Sequence, residues 1–148
     1  MKNSSQNDYT SLIALEAMIE SSMKIIRDKH AMLCSDVAKL YHVTPDYLLK
    51  QVKKNADRFP KEYFFKLKPK EKLSFPTEKY PYAFTEHAIL MLGGVLKNEE
   101  AIKIHIQVIR HFVKLFNQAL KDVTLLEKLE PHIKDDKIFD VLKEMLKK

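Results

Sequence analysis

The chain of 148 residues is poor in the residue types that mark several common functional classes. It has one cysteine, two glycines and no tryptophan. A single cysteine excludes an internal disulfide and a multi-thiolate zinc site. The two glycines, Gly93 and Gly94, are adjacent, so a spaced glycine fingerprint for a dinucleotide or a phosphate loop does not exist. The longest apolar stretch, around Ala88–Leu96, is about half of the roughly 20 residues that a membrane span needs. Met1–Tyr9 is polar and lacks the basic-then-apolar layout of a secretory signal. A cytoplasmic protein with no membrane partner is expected.

What the chain does contain is ordinary core material and an uneven charge. Hydrophobic residues make up 45% and charged residues 31%, as in a soluble globular protein, and the length suffices for a real core. The net charge is +6 with histidine neutral. Residues 1–44 are balanced, and residues 81–148 carry 11 basic against 10 acidic side chains. Residues 45–80 carry ten basic against five acidic. One quarter of the chain thus holds most of the excess, which is the electrostatic footprint of a nucleic-acid site or of a solvated face.

The chain between 10 and 57 reads as a succession of short elements. Thr10 heads a short helix to Glu20. Met23–Ile26 and Ala31–Leu33 flank Arg27–His30 as a small hairpin whose turn lacks Gly and Asn. Ser35 is placed to cap a helix that carries Val37, Leu40 and Tyr41 and ends near Tyr41. Thr44 then caps a second helix, Pro45–Ala56, with Pro45 at its first position and Asp46 at its positive end. Two short helices joined by about three residues have helix-turn-helix spacing, without the usual glycine in the turn.

The second helix has two faces. Pro45, Leu48, Leu49, Val52 and Ala56 fall within an arc of roughly 100°. Asp46, Tyr47, Lys50, Gln51, Lys53, Lys54 and Asp57 lie opposite. Lysines reach phosphates, whereas Tyr47 and Gln51 suit base edges, Gln51 by a two-point contact with adenine. A solvated helix face has the same composition.

Tyr63, Phe65 and Leu67 alternate with Phe64, Lys66 and Lys68 at strand periodicity, and Tyr82–Phe84 is a second strand. Between them Pro69–Pro81 carries Lys70, Lys72 and Lys79 and too many prolines for regular structure. Two helices followed by a hairpin with a basic loop outline a winged helix. Thr85 caps an apolar helix, Glu86–Leu96, expected to be buried, and Asn98 caps a long helix led by Glu99 and Glu100. That helix carries two apolar rows: Ile102, Ile106, Ile109, Val113, Phe116, Leu120 and Val123, and beside it Ile104, Val108, Phe112, Leu115 and Ala119. Two rows imply burial on two sides, against the core and against either the C-terminal helix or a second subunit. Ile138, Leu142 and Met145, beyond Pro131, form further amphipathic segments.

No catalytic constellation emerges. None of the histidines 30, 42, 87, 105, 111 and 132 pair at the i, i+4 spacing of a metal-binding helix. Cys34 reads as a small half-buried residue rather than a nucleophile. No metal, cofactor or enzymatic activity is expected.

Three runs in order carry a resemblance: Ile26–Leu67, Pro81–Leu92 and Ala101–Leu115. Their most specific pieces are Ser35–Val43 (SDVAKLYHV), Lys53–Pro60 (KKNADRFP) and Pro81–Glu86 (PYAFTE). Together they resemble the phage and bacterial KilA-N-related DNA-binding domain often called the "ORF-six N-terminal domain", over roughly residues 24–118. The resemblance implies a small α+β domain, non-enzymatic, DNA-binding and linked to phage regulation. It maps the implied contacts onto the helix at Pro45–Ala56, especially Lys53, Asn55 and Arg58. The chain departs from the family at Leu73–Tyr80, which is shorter than the usual insertion and has neither its glycines nor its arginine.

The expectation is therefore a mainly helical α+β protein with a helix-turn-helix, winged-helix-like unit, a small antiparallel sheet and a long C-terminal helix. A tail and short helix at 1–23, the DNA-binding domain at 24–118 and a C-terminal extension at 119–148 are its parts. Double-stranded DNA is the expected partner, contacted by Tyr47, Lys50, Gln51, Lys53, Lys54, Asn55, Arg58, Lys70, Lys72 and Lys79. A homodimer or higher oligomer is expected through the 99–123 helix. The competing expectation is a protein-interaction module that keeps the scaffold and binds DNA weakly or not at all.

Overall fold

A computed structural model describes residues 4–129 and 136–147. The chain divides into two compact units, Met1–Ile109 and Arg110–Lys148. The described chain is α+β: helix α1 (Ser4–Ser22), strands β1 (Lys24–Ile26) and β2 (Lys29–Leu33), and helices α2 (Cys34–Leu40) and α3 (Pro45–Lys54). There follow β3 (Phe64–Lys66), a helical turn α4 (Pro69–Lys72), β4 (Tyr82–Thr85) and α5 (Glu86–Met91). A long helix, α6 (Glu99–Leu129), and α7 (Asp136–Lys147) complete it.

The four strands form one antiparallel sheet in the order β1-β2-β4-β3. The expected hairpin is present, and its two-residue turn solves the missing-glycine problem by strain. Arg27 and Asp28 both take positive φ, 54° and 62°, the conformation that a tight hairpin turn demands. Across the sheet Met32 faces Phe84, and Phe65 faces Ala83. Pleating sends Ala31, Leu33, Phe65 and Ala83 to one face, where they bury Ile26 and Leu67 as a small second core. Met32 and Phe84 point the other way and are fully buried, on a sheet against which α2 and α5 pack.

Several boundaries differ from expectation, each for a local reason. α1 begins at Ser4 rather than at Thr10, because no glycine or proline in residues 4–9 interrupts it. Ser35 is not a cap. β2 runs directly into α2, so Leu33 occupies the cap position with no side-chain bond, and Cys34 is fully buried rather than half-buried. Burial pushes the Cys34 thiol up to about 12, which leaves it inert. α3 ends at Lys54, two residues early. The Asn55 backbone departs from helical geometry (φ −118°, ψ 39°), a single 3-10 turn follows at Ala56–Arg58, and Ala56 is exposed. α5 stops at Met91 instead of Leu96, and Leu90 and Met91 are partly exposed rather than buried. Pro69 at the first position of α4 starts a helix in a segment expected to be irregular.

The turn between α2 and α3 works without glycine because His42 takes its place. His42 has φ 56°, its N–H donates to the Lys39 carbonyl (3.2 Å) and the Val43 N–H donates to the Ala38 carbonyl (3.0 Å). This is a Schellman closure with histidine in the left-handed position, where histidine is among the tolerated residues. Thr44 then caps α3 as expected, accepting from the Tyr47 N–H at 3.1 Å.

Where glycine is present, it makes room for α6. A Cβ on Gly93 would stand 2.6 Å from the His105 ring, and Gly94 has φ 84°. The stripe that seats the start of α6 is Ala101, His105 and Val108, all buried. His105 belongs to neither apolar row of α6 and enters the sequence reading only as a histidine without an i, i+4 partner. Gly93→Ala is expected to cost about 1–3 kcal/mol by forcing the buried ring aside, measured as a lowered urea midpoint at unchanged slope.

Candidate nucleic-acid interface

α3 is held by its apolar face and presents a cationic one. Leu48, Leu49 and Val52 are buried, and α3 packs against α2. Opposite them Lys50, Lys53 and Lys54 are exposed. Among the described residues, no carboxylate lies within ion-pair distance of any of the three. They line an open groove together with Asp46 and the edge of Leu49. Lys50 lies three and four residues from Lys53 and Lys54, spacings at which like charges repel by about 0.2–0.5 kcal/mol per pair. A polyanion laid along this face would turn that repulsion into attraction. Tyr47 and Gln51 flank the lysines and are half-buried.

The other expected contact residues do not join this cluster. Asn55 serves the helix end, where its side-chain amide donates to the Gln51 carbonyl at 2.8 Å. Arg58 lies beyond α3 on the 3-10 turn, and its guanidinium reaches the Gly93 carbonyl at 3.5 Å. The resemblance grouped both with Lys53 around the Pro45–Ala56 helix; α3 ends at Lys54, so Asn55 lies at its end and Arg58 beyond it.

The 67–81 connection is not a free wing. Phe75 packs on the second core of the sheet. Glu71 forms a two-point pair with Arg27, at 2.8 Å for each bond, and Arg27 also covers the Phe65 ring at 3.9 Å. The Arg27 guanidinium and the Lys68 N–H hold the Glu71 carboxyl down to about 2. Further on, Glu78 accepts from the Ser35 N–H at 2.9 Å and from the Ser35 hydroxyl. It thereby supplies from outside the cap that α2 lacks. The Tyr80 hydroxyl donates to Asp46 at 3.3 Å, so the segment ends on the start of α3. Lys70, Lys72 and Lys79 are exposed along this tied-down strap. Lys79, next to Tyr80, lies at the α3 end, whereas Lys70 and Lys72 lie at the Arg27 end.

A family model of the ORF6N domain matches residues 21–95, just over half of the chain. The chain belongs to the ORF6N domain family. The matched region spans the sheet, the helix-turn-helix and α5, and ORF6N is a phage-associated family. Comparison with curated proteins and with solved structures found no match. Among the described residues, no group of three or more His, Cys, Asp or Glu side chains is arranged to hold a metal ion. No described helix is long and apolar enough to cross a membrane.

Two features of this ORF6N domain escaped sequence reasoning. Tyr41 counted only as an apolar helix position, yet its buried hydroxyl bonds to His105 Nδ1 at 2.7 Å. Glu78 lies in the segment that the sequence outlines as an irregular basic loop. Its signal is faint: an acidic residue 43 positions from the helix it caps.

Proposed function

We propose that the protein is a non-enzymatic DNA-binding regulator of phage type, acting in the cytoplasm, with α3 in the major groove of duplex DNA. The observation that carries this reading is the exposed face of Lys50, Lys53 and Lys54, without an ion-pair partner among the described residues, on the second helix of a helix-turn-helix. Each lysine neutralises a phosphate, and Tyr47 and Gln51 reach base edges. Arg58 and Lys79 extend the charge at the two ends of α3. Selection of bound sites from a random duplex pool tests the reading. Enrichment of a common motif supports it, and a pool that stays random removes base readout.

The reading includes a homodimer through α6. Ile102, Ile106 and Ile109 are between 41% and 48% exposed, and Val113, Phe116 and Leu120 between 50% and 63%. These six residues of the first apolar row are exposed, while the adjoining row holds the buried Val108. A second copy presenting the same row would bury both, and would set two reading helices on one duplex. Ile106→Glu with Val113→Glu is expected to convert a sedimenting dimer into a monomer. The double variant should also lose DNA affinity at least tenfold, since one reading head replaces two. An unchanged sedimentation coefficient would remove this face from assembly.

The same exposed residues favour a second reading, in which the protein is an interaction module that grips a protein partner. A gel-retardation assay against random duplex DNA at low salt separates the two. Absence of any shift at tens of micromolar protein would leave the second reading standing.

A further inference from the structure

Two consecutive residues of the helix-turn-helix turn fasten it to α6, and they do so with different chemistry. Tyr41 is buried, and its hydroxyl lies 2.7 Å from His105 Nδ1, with the rings stacked at 5.9 Å. Burial lowers the pKa of His105, whose ring is also hydrogen-bonded to the Leu90 backbone. A neutral ring has one N–H, and the Leu90 carbonyl only accepts. The ring therefore donates to Leu90 and accepts from Tyr41 at Nδ1. His42, held in the left-handed conformation, meets Glu100 at 2.6 Å on the surface. Gly93 completes the arrangement, because any Cβ there would displace the His105 ring.

We infer that Tyr41 and His42 are positioning residues that lock the helix-turn-helix to the first turns of α6, so that the seating of α6 fixes the direction in which α3 presents its lysines. The functional half of this inference rests on the DNA-binding reading above; the mechanical half does not. The geometry leaves little slack. The two tie points sit on neighbouring residues, one inside and one outside, so a hinge at the turn would have to break both. Between the tie points and α3 lie only Val43 and the Thr44 cap. A shift of α6 is therefore passed to α3 rather than absorbed. Were the tie points ordinary packing, α3 would keep its orientation from Leu48, Leu49 and Val52 alone.

Residual dipolar couplings in the free protein test the lock directly. In the wild type, couplings from α3 and from residues 99–109 of α6 are expected to fit a single alignment frame. In Tyr41→Phe/Glu100→Ala they are expected to need two. Glu100→Ala alone, a surface change that leaves the core intact, is expected to show a smaller divergence in the same direction. Glu100→Gln keeps an acceptor for His42 and should restore the single frame. For DNA, the double variant should bind about two- to threefold more weakly as the competent orientation becomes one of several. Its salt dependence should be unchanged, since no phosphate contact is lost. A single frame in Glu100→Ala and in the double variant overturns the lock. Divergent frames with unchanged affinity confine it to a structural role. Absence of DNA binding by the wild type overturns the DNA-binding reading, while the couplings still decide the lock.

Discussion

Lys50→Ala/Lys53→Ala/Lys54→Ala is expected to weaken duplex DNA binding by roughly two to three orders of magnitude near 0.1 M salt. Each phosphate contact contributes a slope of about −0.9 in log affinity against log salt. Three lost contacts should therefore flatten the slope by nearly three units. The same variant is expected to be as stable as the parent or slightly more so. The lysines repel one another at helical spacing, and alanine is the better helix former. Asp46, four residues before Lys50, loses a favourable neighbour, and it retains its bond from Tyr80. Binding and stability should thus move in opposite directions, which a merely structural face would not produce. Titrations at several salt concentrations, with thermal unfolding of the same samples, give both quantities. An unchanged slope would take α3 out of the interface.

The exposed lysines are legible in the sequence because helical periodicity sorts α3 cleanly. A Thr-Pro start, three buried aliphatics and an outward cationic arc are all local signals. The hairpin was legible for the same reason, even with Arg27 and Asp28 in a turn that prefers glycine. What escaped was non-local. The strap from Lys68 to Pro81 looked like a wing, since nothing nearby in sequence shows that Glu71 meets Arg27 or that Glu78 reaches Ser35. The end of α3 was misplaced because Ala56 fits the apolar arc, whereas Asn55 turns the chain and bonds back to Gln51. Along α6, an apolar count pointed to Ile102, Ile106 and Ile109 as well as to Val108. The core instead chose the small Ala101 and the histidine His105, because Gly93 leaves a ring-sized space there. Such pairings are settled by shape, and hydrophobic periodicity carries no information about shape.

The largest expected loss of stability comes from Phe84→Ala. Phe84 lies on β4, between β2 and β3 in the sheet, fully buried opposite Met32. Its ring tilts against Phe64 at 4.7 Å, and Phe64 in turn stacks on Tyr82 at 5.4 Å and meets the edge of Phe59 at 6.1 Å. Phe59 directly follows the 3-10 turn after α3, so this aromatic chain ties the end of α3 to the sheet. Truncation removes a phenyl group from the main core and leaves a cavity that two paired strands cannot close. The cost is about 3–5 kcal/mol, a large share of the roughly 5–15 kcal/mol that a domain possesses. A fall in Tm of about 10–20 °C is expected. At temperatures where the variant is still folded, its three lysines remain in place, so the salt slope of DNA binding should match the parent. Phe84→Ala and the lysine variant are thus complementary. One lowers Tm at constant slope, the other lowers the slope without lowering Tm, and a variant pair that shifted both downward together would show that fold and interface are not separable in this protein.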